Sequence, residues 1–265
     1  IIAFTARTLD PNNKSKYLNS INSPKFQKSE AVFGICEARR NASKYPYVVA
    51  VEGAPDVLRL QSIGMPNAVA TLGTAWSEKQ LKQLQRYAPS LCFIPDADPP
   101  KAGEHYGPGI KAVMKNGLEA MRLGFSVSVR EIPVGEDGKK QDPDSFITGC
   151  DIFNSLEDVN FAVWYGLKLL NSCSTDTERI EALKRICREA LVLVEDETTL
   201  NCCLEPLSKV FGKLKLWRDA VQNSRDERRR EAARREREAM SEEQAAMREL
   251  GIIVRNRCYC SYSKE

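Results

Sequence analysis

The chain has a single histidine, His105, in 265 residues, and none of its nine cysteines stands in a C-x-x-C pair. A structural zinc site needs four nitrogen or sulfur ligands held close together, so this scarcity argues against zinc. It also leaves little room for acyl transfer by a serine or cysteine paired with histidine. An odd, scattered cysteine set reads as reduced thiols in a cytoplasmic protein, with Cys92 and Cys187 expected in the core. Cys258 and Cys260, one residue apart, would face opposite sides of a strand and make a poor chelate. No signal peptide and no long apolar span is present, so neither export nor membrane insertion is expected. A formal net charge of +3 neither demands nor excludes a nucleic-acid partner.

What is present is more telling. An apolar fraction of 42% supports a real core, and the length suits a main domain with a smaller one. Residues 1–40 carry seven Lys or Arg against three acids, while the acidic clusters lie further on. Such separation suits a protein that holds an anionic polymer beside a metal site. The first residue is Ile and the chain opens in an apolar run, so a piece of a longer protein is expected.

Organisation along the chain falls into five stretches. Residues 1–44 read as a short strand (IIAFTAR), a turn at Asp10-Pro11-Asn12-Asn13 and a basic stretch ending in a helix near 30–41, expected to lean on residues upstream. Residues 45–150 alternate: the run YVVAV, a helix over 55–63, NAVAT, a helix near 78–87, LCFIP, a helix near 110–123, and FSVSVREI. Pro55 suits a helix start, Gly64 a stop, and Ser77 with Gln80 makes a capping box. Strands alternating with helices predict an α/β fold, a parallel sheet with helices on both faces. Residues 151–221 read as a small helical bundle, with Ile180, Leu183, Ile186, Cys187, Ala190, Leu191 and Val194 at three-to-four spacing and Trp217 near its end. Residues 222–250 hold eight Arg and eight acids, with Asp226/Arg230 and Glu231/Arg235 at i,i+4, and read as a solvated helical connector. The run 251–265 resumes strand character, as the start of a further module.

Six acids fall in three clusters, each after a strand candidate: Glu52 and Asp56 in EGAPD, Asp96 and Asp98 in DAD, Asp142 and Asp144 in DPD. Taken singly, each has an ordinary reading as a helix-start, turn or loop acid. Together, at the C-terminal ends of neighbouring parallel strands, they would form an oxygen-rich pocket for a divalent cation and a phosphate-bearing substrate. Acids that converge without a cation repel, so a metal or an unusual proton load is required. Mg²⁺ or Mn²⁺ suits such all-oxygen ligands better than zinc.

These residues carry a resemblance. EGAPDVLRLQSIGMPNAVATLGTAWSEKQLKQLQR, followed by DAD and DPDSFI, resembles the Toprim domain of bacterial DnaG-type primases, and KYLNSINSPKFQKSEAVFGICEA resembles the stretch that precedes it there. The likeness spans roughly residues 1–150, and the helices to about 221 are similar in placement to the small helical subdomain that follows. The resemblance implies that Glu52 matches the family's strand-end acid, Asp96, Asp98, Asp142 and Asp144 its metal-binding acids, and Asp56 a supporting carboxylate at that metal. It implies that Arg7, Lys16, Tyr17, Asn19 and Lys28 match a basic face that meets template and incoming nucleotide. Two departures stand out. The family's Asp-Gly-Asp is Asp-Ala-Asp here, and its short following turn is expanded into PPKAGEHYGPGIKA, which brings in Lys101 and Lys111. The family's zinc-binding module is absent from this chain, so initiation on a template is expected to be impaired.

The function expected on this basis is a primase catalytic core, joining ribonucleoside triphosphates into a short RNA primer on a single-stranded DNA template by metal-dependent nucleotidyl transfer. A replicative helicase, in trans or fused, is the expected further partner. Two rivals stand beside it: another Toprim phosphotransfer enzyme, a nuclease or topoisomerase, and a non-catalytic replication or mobilisation factor that binds single strands.

Overall fold

The structure is a computed structural model and describes residues 2–8, 10, 17–73, 75–135 and 138–249. Lys16, most of the turn expected at 10–13, and the run 251–265 with Cys258 and Cys260 lie outside the described residues. Strands β1 (Thr5–Arg7) and β2 (Tyr17–Asn19) pair as an antiparallel ribbon, and β3 (Val32–Phe33) and α1 (Ile35–Arg40) follow. Next come β4 (Tyr47–Val51), α2 (Ala54–Ser62), β5 (Ala68–Thr71), α3 (Glu78–Gln85), β6 (Ser90–Phe93), α4 (Pro108–Arg122) and β7 (Ser126–Val129). After these lie α5 (Pro143–Phe146), α6 (Cys150–Ser155), β8 (Val159–Asn160), α7 (Phe161–Asn171), α8 (Asp176–Glu189), α9 (Glu197–Val210) and α10 (Leu214–Glu249).

Among the described residues the main sheet runs β3-β5-β4-β6-β7-β8, with β5, β4, β6 and β7 parallel as the alternating pattern predicts. Both edges are antiparallel. The helix expected from residue 30 therefore starts later, because Val32 and Phe33 pair with Thr71 and Ala70 of β5. Apolar runs such as YVVAV belong in a sheet covered on both faces. Their alternation sorts the core: Val48 and Ala50 join one apolar cluster with α3, α4 and the later helices, while Val49 and Val51 join a second with Val57 and Leu60 of α2. The capping box is present, Ser77 N–H donating to Gln80 Oε1 (2.9 Å) and Gln80 N–H to Ser77 Oγ (3.1 Å).

The helical part packs on the same sheet. Leu183, Ile186, Cys187, Ala190, Leu191 and Val194 are buried as their spacing predicts, but Ile180 is exposed, lying one turn before the buried stripe of α8 begins. Trp217 is fully buried and donates its indole N–H to the Phe211 carbonyl at 2.7 Å. It lies on α10, so the end of the bundle and the charged connector are one continuous helix. On that helix Asp226 meets Arg229 at 3.9 Å, one residue short of the expected Arg230, and Arg234 meets Glu238 at 3.5 Å. Cys92 and Cys187 are buried, and burial pushes both thiols up to about 12. No helix among the described residues is long and apolar enough to cross a membrane.

Candidate active site

Adjacent parallel strands bring distant acids together. β4 and β6 pair in parallel with Ala50 opposite Phe93, and the Ile94 N–H donates to the Ala50 carbonyl at 3.0 Å. Glu52 leaves β4 and Asp96 leaves β6 at the same rim, the C-terminal one. Glu52, Asp96 and Asp98 each offer a carboxylate oxygen within 4.8 Å of the others. Asp96 and Asp98 face one side because the chain between them stays extended: Ala97 bridges Gln141 in antiparallel fashion, its N–H donating to the Gln141 carbonyl at 2.9 Å. Ala97 itself points into the second apolar cluster, beside Ile94 and Ile147. A small apolar residue at the centre of this Asp-Ala-Asp therefore anchors the pair to the core.

The expanded loop after Asp98 returns onto the acids. A Cβ on Gly107 would lie 1.9 Å from the Asp98 carbonyl oxygen, and one on Gly109 would lie 2.4 Å from that of Asp96 and 2.8 Å from Glu52 Oε1. Only glycine lets the start of α4 approach the rim this closely.

The DPD acids reach the same rim by another route. Asp142 caps α5, its Oδ1 accepting from the Ser145 N–H at 2.9 Å, so this segment is a capped helical turn. Asp144 accepts from Arg59 Nε at 3.1 Å. Asp56, only 6% exposed, braces two clusters at once: one oxygen accepts from the Gly53 N–H and the other from the Asp144 N–H, both at 3.0 Å. Both oxygens of Asp56 are thus engaged, and Asp56, Asp142 and Asp144 fall outside the tight group of three. They remain close to it, for Asp142 contributes to raising the pKa of both Asp56 and Asp96.

Electrostatics mark the centre as short of positive charge. Burial, then the charge of Asp96, pushes Glu52 up to about 7. The same two causes push Asp56 up to about 7. Burial also raises Asp96, against the pull of a lysine that sequence reasoning missed. Lys140 places its ammonium 2.5 Å from Asp96 Oδ2 and 3.0 Å from Asp98 Oδ1. Glu52 Oε1 and Asp96 Oδ1 are buried with no hydrogen-bond partner among the described residues. Orphaned buried oxygens cost free energy unless something positive meets them, so this donor set fits a hard divalent cation. Lys140, Arg59, Gly107 and Gly109 all sit in segments that read as ordinary loop or helix surface; only the Lys139-Lys140 pair just before DPD hinted at a role.

The basic face lies alongside. A cleft of about 200 Å³ is lined by Thr5, Tyr17 and Asn19 of the ribbon together with Glu52, Gly53 and Gly73 of the rim. Arg7 stacks over the Tyr17 ring at 5.7 Å and lies near enough to Asp142 to help lower its pKa. The Lys28 side chain runs past Gly73. Of the five residues expected on this face, Tyr17 and Asn19 share the cleft with Glu52, Arg7 and Lys28 flank it, and Lys16 is outside the described residues.

Comparison with known proteins agrees with this fold. Residues 49–147 match the Toprim-like family model, and residues 1–39 match that of the N-terminal domain of the DNA primase catalytic core. The chain resembles the catalytic core of DnaG-type DNA primases. A DNA primase of Pseudomonas putida is 39% identical over 156 residues, 58% of this chain and 22% of that protein. The crystal structure of a DNA primase domain from Pseudomonas aeruginosa superposes with a TM-score of 0.62 at 28% identity, covering 84% of this chain and 68% of that one. A DnaG primase catalytic domain bound to single-stranded DNA gives 0.63 at 25% identity, covering 81% and 66%. The match to the Pseudomonas putida relative takes in under a quarter of that protein's length.

Proposed function

We propose that this chain is the catalytic core of a DNA primase, joining ribonucleoside triphosphates into a short RNA primer on single-stranded DNA. The observation that carries the reading is the convergence of Glu52, Asp96 and Asp98, two of them with unsatisfied buried oxygens, beside a cleft walled by Tyr17 and Asn19. The likeness to DNA primases, one bound to single-stranded DNA, supports the same substrate class. Such a replication enzyme would act in the cytoplasm.

Glu52, Asp96 and Asp98 would hold Mg²⁺ or Mn²⁺, with Asp142 and Asp144 completing the acidic rim for a second ion and Asp56 supporting both. Ions bound by these residues would lower the charge on the incoming triphosphate and make the primer 3′-hydroxyl easier to deprotonate. The protein's own work is positioning. Asp56 ties the EGAPD turn to the DPD helix, and the Ala97–Gln141 bridge holds the two acids of DAD on one side. The ribbon would receive the template backbone and the nucleotide phosphates through Arg7, Lys16, Tyr17, Asn19 and Lys28, so binding should weaken steeply with salt. A replicative helicase, fused or in trans, would deliver the single strand.

A primer-synthesis assay on single-stranded DNA tests the reading. The protein should extend primers with ribonucleotides and Mg²⁺, and Asp96→Ala with Asp98→Ala should abolish extension; undiminished product from the double variant overturns it. Running labelled DNA with Mg²⁺ but no nucleotides separates synthesis from cleavage, since a nuclease would cut there.

A further inference from the structure

Three carboxylates and one ammonium meet at the centre of the rim, and the ammonium is on a long, half-exposed side chain. Lys140 touches Asp96 Oδ2 and Asp98 Oδ1, while Asp96 Oδ1 and Glu52 Oε1 stay unpartnered beside it. A divalent ion that draws on all three carboxylates must therefore use Asp98, one of whose oxygens Lys140 already engages. Resting on the reading of this cluster as a cation site, we propose that Lys140 is a tethered stand-in cation: it holds the acids together when no divalent ion is bound, and the ion must displace it to bind. Lys140 is thus a positioning residue that sets the ion concentration at which the centre fills.

The placement of Lys140 follows from the fold. The antiparallel bridge between Ala97 and Gln141 lays residue 140 beside the Asp-Ala-Asp, whose near ends are fixed by β6 and by the buried Ala97. A lysine ammonium is a point charge on a flexible stem, so a change of rotamer suffices to release it. The charge balance also fits: three formal negative charges keep a net charge of two while the lysine is in place and of one once a divalent ion has replaced it, so the exchange is electrostatically favourable. The displaced ammonium would then be free to meet an anionic phosphate.

The test measures Mn²⁺ binding to the whole chain by calorimetry and by the Mn²⁺ paramagnetic resonance signal, with melting temperature in EDTA as a second readout. Lys140→Met should bind Mn²⁺ about tenfold more tightly than the parent and melt lower in EDTA. Lys140→Arg, which keeps the charge, should bind as weakly as the parent. Lys140→Gln, which keeps a hydrogen-bond donor without the charge, serves if the methionine variant does not fold. Equal or weaker Mn²⁺ affinity in the uncharged variants overturns the proposal, because a purely structural ion pair would lower the melting temperature and leave affinity alone. Failure of the parent and of both uncharged variants to bind Mn²⁺ instead sinks the cation-site reading, and the proposal with it.

Discussion

The acid rim of the sheet and the helix α10 are both dense in charge, and they handle it in opposite ways. Beyond residue 226 of α10 the charges stand in water and meet along the helix, as Arg234 with Glu238 at 3.5 Å, with both side chains more than half exposed. At the rim, Asp96 is almost fully buried, Glu52 and Asp96 keep oxygens without partners, and burial lifts Glu52 to about 7. Exposed pairs trade contacts with water for contacts with each other at little net gain. Buried acids have lost water and are held in place only because the surrounding fold determines their positions. The same residue types therefore mean solubility in one region and a poised site in the other.

The sharpest way to break this contrast is to empty the rim. Asp96→Ala with Asp98→Ala should lower primer synthesis by about a thousandfold or more, measured as labelled product on a single-stranded template; parental yield would make the rim no different from α10. Gly107→Ala comes next, because its Cβ would fall 1.9 Å from the Asp98 carbonyl oxygen. The loop or Asp98 must shift, costing about 1–3 kcal/mol in a urea melt and weakening Mn²⁺ binding with it; a stable variant with parental affinity would show that the close approach of α4 does not shape the site. Asp56→Ala removes the brace between Gly53 and Asp144 and should cost about 1–3 kcal/mol through the two amides left unpaired, while Asp56→Asn should recover part of that loss. Equal melts for the two variants would argue against bracing. At the small end, Arg234→Ala on α10 should change stability by under about 0.5 kcal/mol and leave priming as it was. A larger effect would mean that the helix does more than connect.

Much of the fold could be read from the chain because its signals are local. Four-to-five-residue apolar runs, Pro55 at a helix start and the Ser77/Gln80 box each act over one turn or one strand, and α2, β5, α3 and β6 stand where those signals put them. Two-residue strands such as Val32–Phe33 and Val159–Asn160 have no period to detect, since only pairing with a neighbour makes them strands. The acids were visible as clusters, but their division of labour was not. Whether a carboxylate accepts a backbone N–H, as Asp56 and Asp142 do, or stays buried without a partner, as Glu52 Oε1 does, depends on groups up to 88 residues away.

The amino-acid order by itself settled the alternation of strands and helices, the buried stripe of the bundle, the solvated character of residues 227–243 and the existence of three acidic clusters, all properties that neighbours along the chain define. Tertiary structure alone decided which acids share a space, that Lys140 enters among them, and that Gly107 and Gly109 must stay small. The reason is physical: a parallel sheet joins strand ends that are some forty residues apart in sequence, and desolvation, which raises the pKa of an ordinary carboxylate, exists only once those ends are packed.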